Sequence, residues 1–441
     1  MTDRDAPNPN APYPNENISC LRRLARRAAG LMLALTIATS PAAAFGNDGI
    51  QFGPTGPGAA SPGAVDREFV REWEKNPPPG FPTLSPANVA PTKAAMKKYQ
   101  AIVANGGWET VPTVKMFYGE THFAVAVLKR RLAVSGELAS GGDDSEYFGS
   151  DLDLAVKRFQ ATNGLTPTGV VDERTSAALN VPADVRLRQL KNSLARLQEV
   201  VSSTAKQKYV AVNIPAAQVE AVQGDKVVSR YTGVVGKPDR PTPLLRTTIH
   251  EMNFNPVWRL PPTVISKDLI PRGREMQKEG KNVLVKFGID AYDGAGKKVD
   301  PEKINWSSGQ PAGLSYRQKP GKDNPLGFLK INFNNSHSVY MHDTPSETMF
   351  GRNFRAASSG CIRVANIEQL AAWLLADTPG WSASRIASVK ESGERIDTKV
   401  KRPVPLYFAY LTAWATPDGV IQFRRDLYDR DRSGSESATS Y

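Results

Sequence analysis

The hydrophobic pattern of this chain changes period near residue 205, and that change limits the folds open to it. Upstream, apolar residues recur at helical spacing: Phe123, Val127, Leu128 and Leu132, then residues 152–159, 173–179 and 184–203. Downstream, from Tyr209, the composition turns strand-like. Residues 209–214, 218–223 and 226–235 read as strands, the last two joined by a hairpin loop of Gly224 and Asp225. Residues 326–333 and 338–342 alternate again. The chain therefore reads as multidomain α+β, helical first and mainly β afterwards.

Residues 342–364 carry the chemistry. On the expected 338–342 strand, Tyr340 and His342 point the same way, with Val339 and Met341 on the opposite, apolar face. Residues 344–359 have the polar, Gly-, Ser-, Asn- and Arg-rich composition of a loop. A helix is expected next, its stripe made by Ile367, Leu370, Ala371, Leu374 and Leu375, its start by a capping box of Asn366 and Gln369. Cys361 then falls in a turn between loop and helix, where Gly360 lets backbone approach a substrate. A free thiol, with a pKa of about 8.5, is only slightly ionised at neutral pH, so a nucleophilic cysteine needs a base within hydrogen-bond reach. His342 suits that role, and a third group must hold its ring, either Asp343 or a backbone carbonyl. Main-chain N–H groups around Gly360 and Cys361 are candidates to stabilise the oxyanion of a tetrahedral intermediate. Nucleophilic acyl transfer is the reaction class indicated.

The block His342-Asp343-Thr344-Pro345, followed by Ser358-Ser359-Gly360-Cys361-Ile362-Arg363-Val364, resembles the signature of L,D-transpeptidases with a YkuD-type catalytic domain. Val212-Asn213-Ile214-Pro215, residues 236–243, Phe254-Asn255-Pro256-Val257-Trp258 and Arg317-Gln318-Lys319-Pro320-Gly321 extend the resemblance to the long periplasmic branch of that family, over residues 116–430. The resemblance implies Cys361 as nucleophile, His342 as base and Gly360 in the oxyanion turn. Asp343 joins this catalytic set, and Tyr340, Ser358, Ser359 and Arg363 are expected to contact substrate. Ser359 stands where many members carry histidine, so no auxiliary role is carried over to it. Ala155-Val156-Lys157-Arg158-Phe159-Gln160, Gly164-Leu165, Gly169-Val170-Val171-Asp172, Thr175 and Leu179 resemble a small three-helix peptidoglycan-binding domain.

The expected organisation is then an export signal over 1–44, a Pro/Gly-rich and partly helical region over 45–115, and a peptidoglycan-binding-like domain over 116–182. A linker helix over 184–203, a mainly-β catalytic domain over 206–400 and a C-terminal extension over 401–441 follow. The signal is read from Leu21-Arg22-Arg23-Leu24-Ala25-Arg26-Arg27, an apolar run over 28–39 and small residues over 40–44. That run is shorter than the roughly 20 residues of a bilayer span. Cys20 would leave with the signal, so the mature protein carries Cys361 as a lone thiol, which is unusual where disulfides form freely. The net charge of +12 comes from that arginine cluster and from dispersed Lys and Arg without interleaved aromatic platforms, so nucleic acid is not an expected partner.

Residues 266–322 interrupt the strands with a densely charged, weakly periodic insertion; a structureless loop of that length points to function. The resemblance implies a mobile lid that caps the active site. His122, His250 and His337 lack partners at metal-ligand spacing, and Gly-rich phosphate loops are absent, so no metal or other cofactor is expected. By resemblance, Cys361 attacks the L,D bond between residues three and four of a donor tetrapeptide stem, D-Ala leaves, and the acyl group passes to the side-chain amine of another stem. Such an enzyme forms 3-3 cross-links in the periplasm and is acylated by carbapenem-type β-lactams. Two other functions stay open: an L,D-carboxypeptidase or cross-link hydrolase using the same acyl-enzyme, and a non-catalytic wall-binding protein with a structural Cys361. The intact pair of His342 and Cys361 disfavours the last of these.

Overall fold

Where apolar residues recur every three to four positions, helices form. The computed structural model describes residues 67–75, 78, 80–139, 144–202, 204 and 208–432; the expected export signal and Cys20 lie outside them. Helices Phe123–Ser135, Ser150–Thr162 and Glu173–Leu179 fall where the sequence predicts them and enclose a core of their own, made by Val125, Leu128, Leu132, Leu152, Val156, Phe159 and Leu179. His122 Nδ1 accepts the Ala124 N–H and the Asp172 carboxylate accepts the Thr175 N–H, so both N-termini are capped by side chains.

The helix Ala183–Val201, expected as a linker, is instead a shared wall. Leu197, Val200 and Val201 pack on the β-sheet through Tyr209, Ala211 and Tyr407. Leu187 and Leu190 pack on the helix Val89–Ala104 through Ala95, Tyr99 and Ile102. Among the described residues no helix is long and apolar enough to cross a membrane.

The alternating segments form strands β1 (Lys208–Asn213), β2 (Gln218–Gln223), β3 (Lys226–Gly236) and β4 (Leu245–Phe254). Four short strands follow, β5 (Trp258–Arg259), β6 (Ile289–Tyr292), β7 (Lys298–Val299) and β8 (Ser315–Gln318), then β9 (Leu329–Phe333), β10 (Met341–His342), β11 (Ala356–Ser358), β12 (Ile362–Val364) and β13 (Ile396–Ala409). The large sheet runs β11-β3-β12-β10-β9-β4-β13-β1-β2, and β2 pairs again with β3, so the sheet returns on itself. Leu329, Ile331, Met341, Ile362 and Val364 point inward, where Leu370, Ala371 and Leu374 of the helix Ile367–Leu374 join the same core. Because side chains alternate, Lys330, Asn332, Tyr340, His342, Cys361 and Arg363 are left on the other face. β13 lies between β4 and β1, so the chain beyond 400, expected as an extension, supplies a central strand of this sheet.

The insertion is folded, contrary to its reading as a structureless loop. β5-β8-β6-β7 make a separate four-stranded sheet, and Leu269, Met276, Leu284, Trp306 and Tyr316 fill a core between it and the helices Ile270–Lys278 and Val283–Phe287. Gly273 lies against Trp306, where a Cβ would fall 2.3 Å from the indole. Each element is too short to leave a periodic signature.

Candidate active site

Parallel pairing of β10 with β12 aligns Met341 with Ile362 and His342 with Arg363, and antiparallel pairing with β9 sets Lys330 opposite His342. The Ile362 N–H donates to the Tyr340 carbonyl at 3.1 Å, so Cys361 stands level with Tyr340. Tyr340, His342, Cys361 and Arg363 therefore share one face, His342 being the diagonal neighbour of Cys361. Their strands are shorter than expected. Asn335 donates to the Val339 carbonyl and accepts its N–H, closing a turn in which Ser338 takes φ 55°, so the strand begins only after it.

Cys361 is a free, half-buried cysteine. Burial pushes its thiol up to about 11, against the opposing pull of the Tyr340 N–H and hydroxyl, Lys330 and Arg363. Tyr340 in turn accepts from Trp258 Nε1 at 2.9 Å and meets the His342 ring edge-on at 5.6 Å between centroids. Tyr340 is the neighbour of Cys361 across the strand, and among the described residues no hydrogen bond joins thiol to imidazole. The expected pair is adjacent but not bonded, because the register places His342 one step beyond Cys361.

His342 is buried, and that burial, followed by the positive charge of Arg363, holds its pKa down to about 3. The ring is neutral at working pH. Its Nδ1 lies 2.5 Å from the Asp343 carbonyl oxygen, and the Pro325 main chain also faces it. Of the two orienters considered from sequence, the main chain fills the place. The Asp343 carboxylate turns away to accept the Phe328 N–H at 3.0 Å, as side chains of successive residues on a strand oppose each other.

The turn before the thiol is tightly bonded. Ser358 Oγ donates to the Cys361 carbonyl at 2.5 Å and accepts the Gly360 N–H at 3.1 Å, while Thr242 Oγ1 donates to the Gly360 carbonyl at 2.8 Å. Gly360 sits at φ 116°, which only glycine adopts without strain. Its N–H is thus engaged and is not the free oxyanion donor expected. The Cys361 N–H donates to no acceptor among the described residues. Ser358 organises this turn from a buried position, and Ser359 Oγ faces outward to accept from Arg240 Nη1 at 2.8 Å. Arg240 also grips Asp268 of the insertion, at 2.6 and 2.9 Å. Arg363 reaches Met349 Sδ at 2.8 Å and Thr344 Oγ1 at 3.4 Å, and its buried Nε has no partner among the described residues.

Three further sequence expectations are corrected here. Cys361 precedes a strand, β12, not a helix, and part of the 344–359 loop is β11, paired in parallel with β3. Asn366 takes φ 50° and makes no side-chain cap, the Gln369 N–H bonding to its main-chain oxygen at 3.0 Å, so no capping box forms. Trp258, Arg240, Asp268 and Lys330 belong to the site without being candidate site residues in the sequence, where Trp258 and Arg240 only fall within motifs of the resemblance; tertiary packing brings them in. His122 serves as a helix cap, and no cluster of three metal-ligating residues occurs among the described residues.

Residues 207–387 match the family model of the L,D-transpeptidase catalytic domain, YkuD. That stretch is similar to a YkuD catalytic domain. Residues 121–179, the three-helix unit, match the model described as "Putative peptidoglycan binding domain". A protein of Haemophilus influenzae named "Putative L,D-transpeptidase" is 31% identical over 224 residues, 51% of this chain and 44% of the relative, so the chain spans less than half the length of that curated relative. Among solved structures, an L,D-transpeptidase (Yku) from Stackebrandtia nassauensis is similar at 14% identity and TM-score 0.26, covering 68% of this chain and 97% of that one. An L,D-transpeptidase solved in complex with imipenem aligns at 13% identity and TM-score 0.23, over 46% of this chain and 59% of that one. The YkuD match takes in β1, β10 and β12 and stops before β13, which completes the sheet in this chain.

Proposed function

We propose that this chain is a periplasmic L,D-transpeptidase that joins peptidoglycan stem peptides through an acyl-Cys361 intermediate. The observation that carries the reading is the common face of β10 and β12, with the Cys361 thiol beside Tyr340 and next to a buried, neutral His342. The thiol proton passes to the imidazole as sulfur attacks the carbonyl carbon of the donor's third residue. The oxyanion forms where the Cys361 N–H is free to donate. The C–N bond to the fourth residue then breaks, the imidazole returns the proton to the departing D-Ala amine, and a thioester remains. An amine of a second stem attacks that thioester, its proton going through the imidazole to sulfur, which leaves as the thiol. The product is a 3-3 cross-link. Because thiol and imidazole are both neutral at rest, proton transfer accompanies attack and is not completed beforehand.

The YkuD match supports the reaction class, and the peptidoglycan-binding match supports the polymer on which it acts. Export rests on the order of charged, apolar and small residues over 1–44. Carbapenem-type β-lactams would acylate the same thiol. Incubation with a disaccharide-tetrapeptide, read by mass, tests the reading. A dimer formed with loss of one D-Ala is expected; tripeptide alone would mean hydrolysis, and unchanged substrate would overturn the proposal.

A further inference from the structure

A groove of about 310 Å³ opens beside Tyr340, lined by Trp258, Lys330, Asp397 and three exposed arginines, Arg259, Arg317 and Arg395. Four of its side chains are thus basic and one acidic. Lys330 is the half-buried member. Its Nζ lies 4.6 Å from the centre of the Tyr340 ring, and among the described residues it makes no ion pair and no side-chain hydrogen bond. Carboxylates stand near it on the same face, yet they are taken by amides. Asn253 donates to Asp397 at 2.8 Å and to Glu251 at 3.0 Å, and Asn332 donates to Glu251 at 3.1 Å. A partly buried ammonium that loses water without gaining a carboxylate is costly unless a ligand supplies one.

We propose that Lys330 is a specificity-determining residue that binds a free carboxylate of the peptide substrate and so sets its acyl carbon at Cys361, an inference that rests on the transpeptidase reading. Register carries the placement. Lys330 pairs directly with His342 on β10, and its ring neighbour Tyr340 stands level with Cys361, so β10 alone separates an anion bound there from the nucleophile's strand. Trp258 and Tyr340 line the groove, and its three exposed arginines make it attractive to an acidic chain. The occupant is therefore an acidic stem peptide, recognised at a carboxylate next to the scissile bond.

The test compares a fluorescent tetrapeptide bearing free carboxylates with its amidated counterpart, by anisotropy, on the full chain with Cys361→Ala, so that turnover does not intervene. The acid is expected to bind about tenfold more tightly than the amide. Lys330→Met should remove that preference, and Lys330→Arg should restore most of it. Equal binding of acid and amide in the presence of Lys330 would overturn the inference without recourse to a variant, as would a preference that survives Lys330→Met. With Cys361 intact, Lys330→Met should raise KM for the acid alone; an equal fall in kcat for acid and amide would mean that Lys330 acts on the thiol instead. Turnover of acid and amide alike would remove the Lys330 assignment and leave the transpeptidase reading standing. Preference for the acid with no turnover of either would do the reverse.

Discussion

The three-helix module and the insertion are held to the rest of the chain by different chemistry. Buried arginines fasten the module. Arg424 donates to the Thr162 carbonyl at 2.9 Å with its guanidinium 5.0 Å from the Trp414 ring centre, and Arg186 donates to Asn163 Oδ1 at 2.9 Å while lying over Phe423. The insertion reaches the thiol's turn through Arg240 and an Asp268 carboxylate that is 46% exposed. A buried donor that loses its partner is left uncompensated, whereas an ion pair whose carboxylate is exposed exchanges more readily with water and salt. The first arrangement suits a fixed anchor and the second a cover that lifts.

The comparison breaks most visibly if the insertion is not a unit of its own. Trp306→Ala empties its separate core and should cost about 3–5 kcal/mol there. Amide exchange should rise across residues 258–318 while the melting of the large sheet moves little; joint melting would make the two one cooperative body. Arg424→Met should lower global stability by about 2–3 kcal/mol, because the Thr162 carbonyl then lacks its donor. An unchanged denaturation midpoint would show that the module is not anchored there.

The titration of the thiol sharpens the account. With Cys361 at about 11, alkylation by iodoacetamide should rise about tenfold per pH unit through pH 9. A plateau starting near pH 6 would instead reveal a preformed thiolate–imidazolium pair. His342 has a folded pKa of about 3, below an unfolded value of about 6.5, so the unfolded chain binds the extra proton between them. Its contribution is full above that window and is lost as pH falls through it; His342→Gln should flatten this part of the stability profile. The smallest effect is expected at the latch. Asp268→Asn should change stability by less than about 1 kcal/mol and raise the hydrolysed share of product up to about fivefold, by uncovering the thioester. An unchanged share would make the insertion a bystander.

What could be read from sequence follows the range of the interactions. Leu128 and Leu132, or Ile367, Leu370 and Leu374, reveal helices because their partners lie one turn away, although Phe123 of the expected stripe is exposed. Alternation likewise placed Tyr340 and His342 on one face. It did not say which strand comes next to which, so Lys330 beside His342, and β11 beside β3, were hidden. Nor did Asn366 and Gln369 reveal that the backbone would enter their helix from a left-handed residue. The insertion has strands as short as two residues, Trp258–Arg259 among them, whose pairing is set by β8 and by the Trp306 core.

The central claim is that Cys361 on this face becomes acylated. Intact-mass measurement of the full chain, quenched seconds after mixing with a tetrapeptide donor or a carbapenem, tests it directly. One adduct per chain is expected, with release of D-Ala from the peptide and none on Cys361→Ala. An unmodified wild type, or the same adduct on Cys361→Ala, would contradict it.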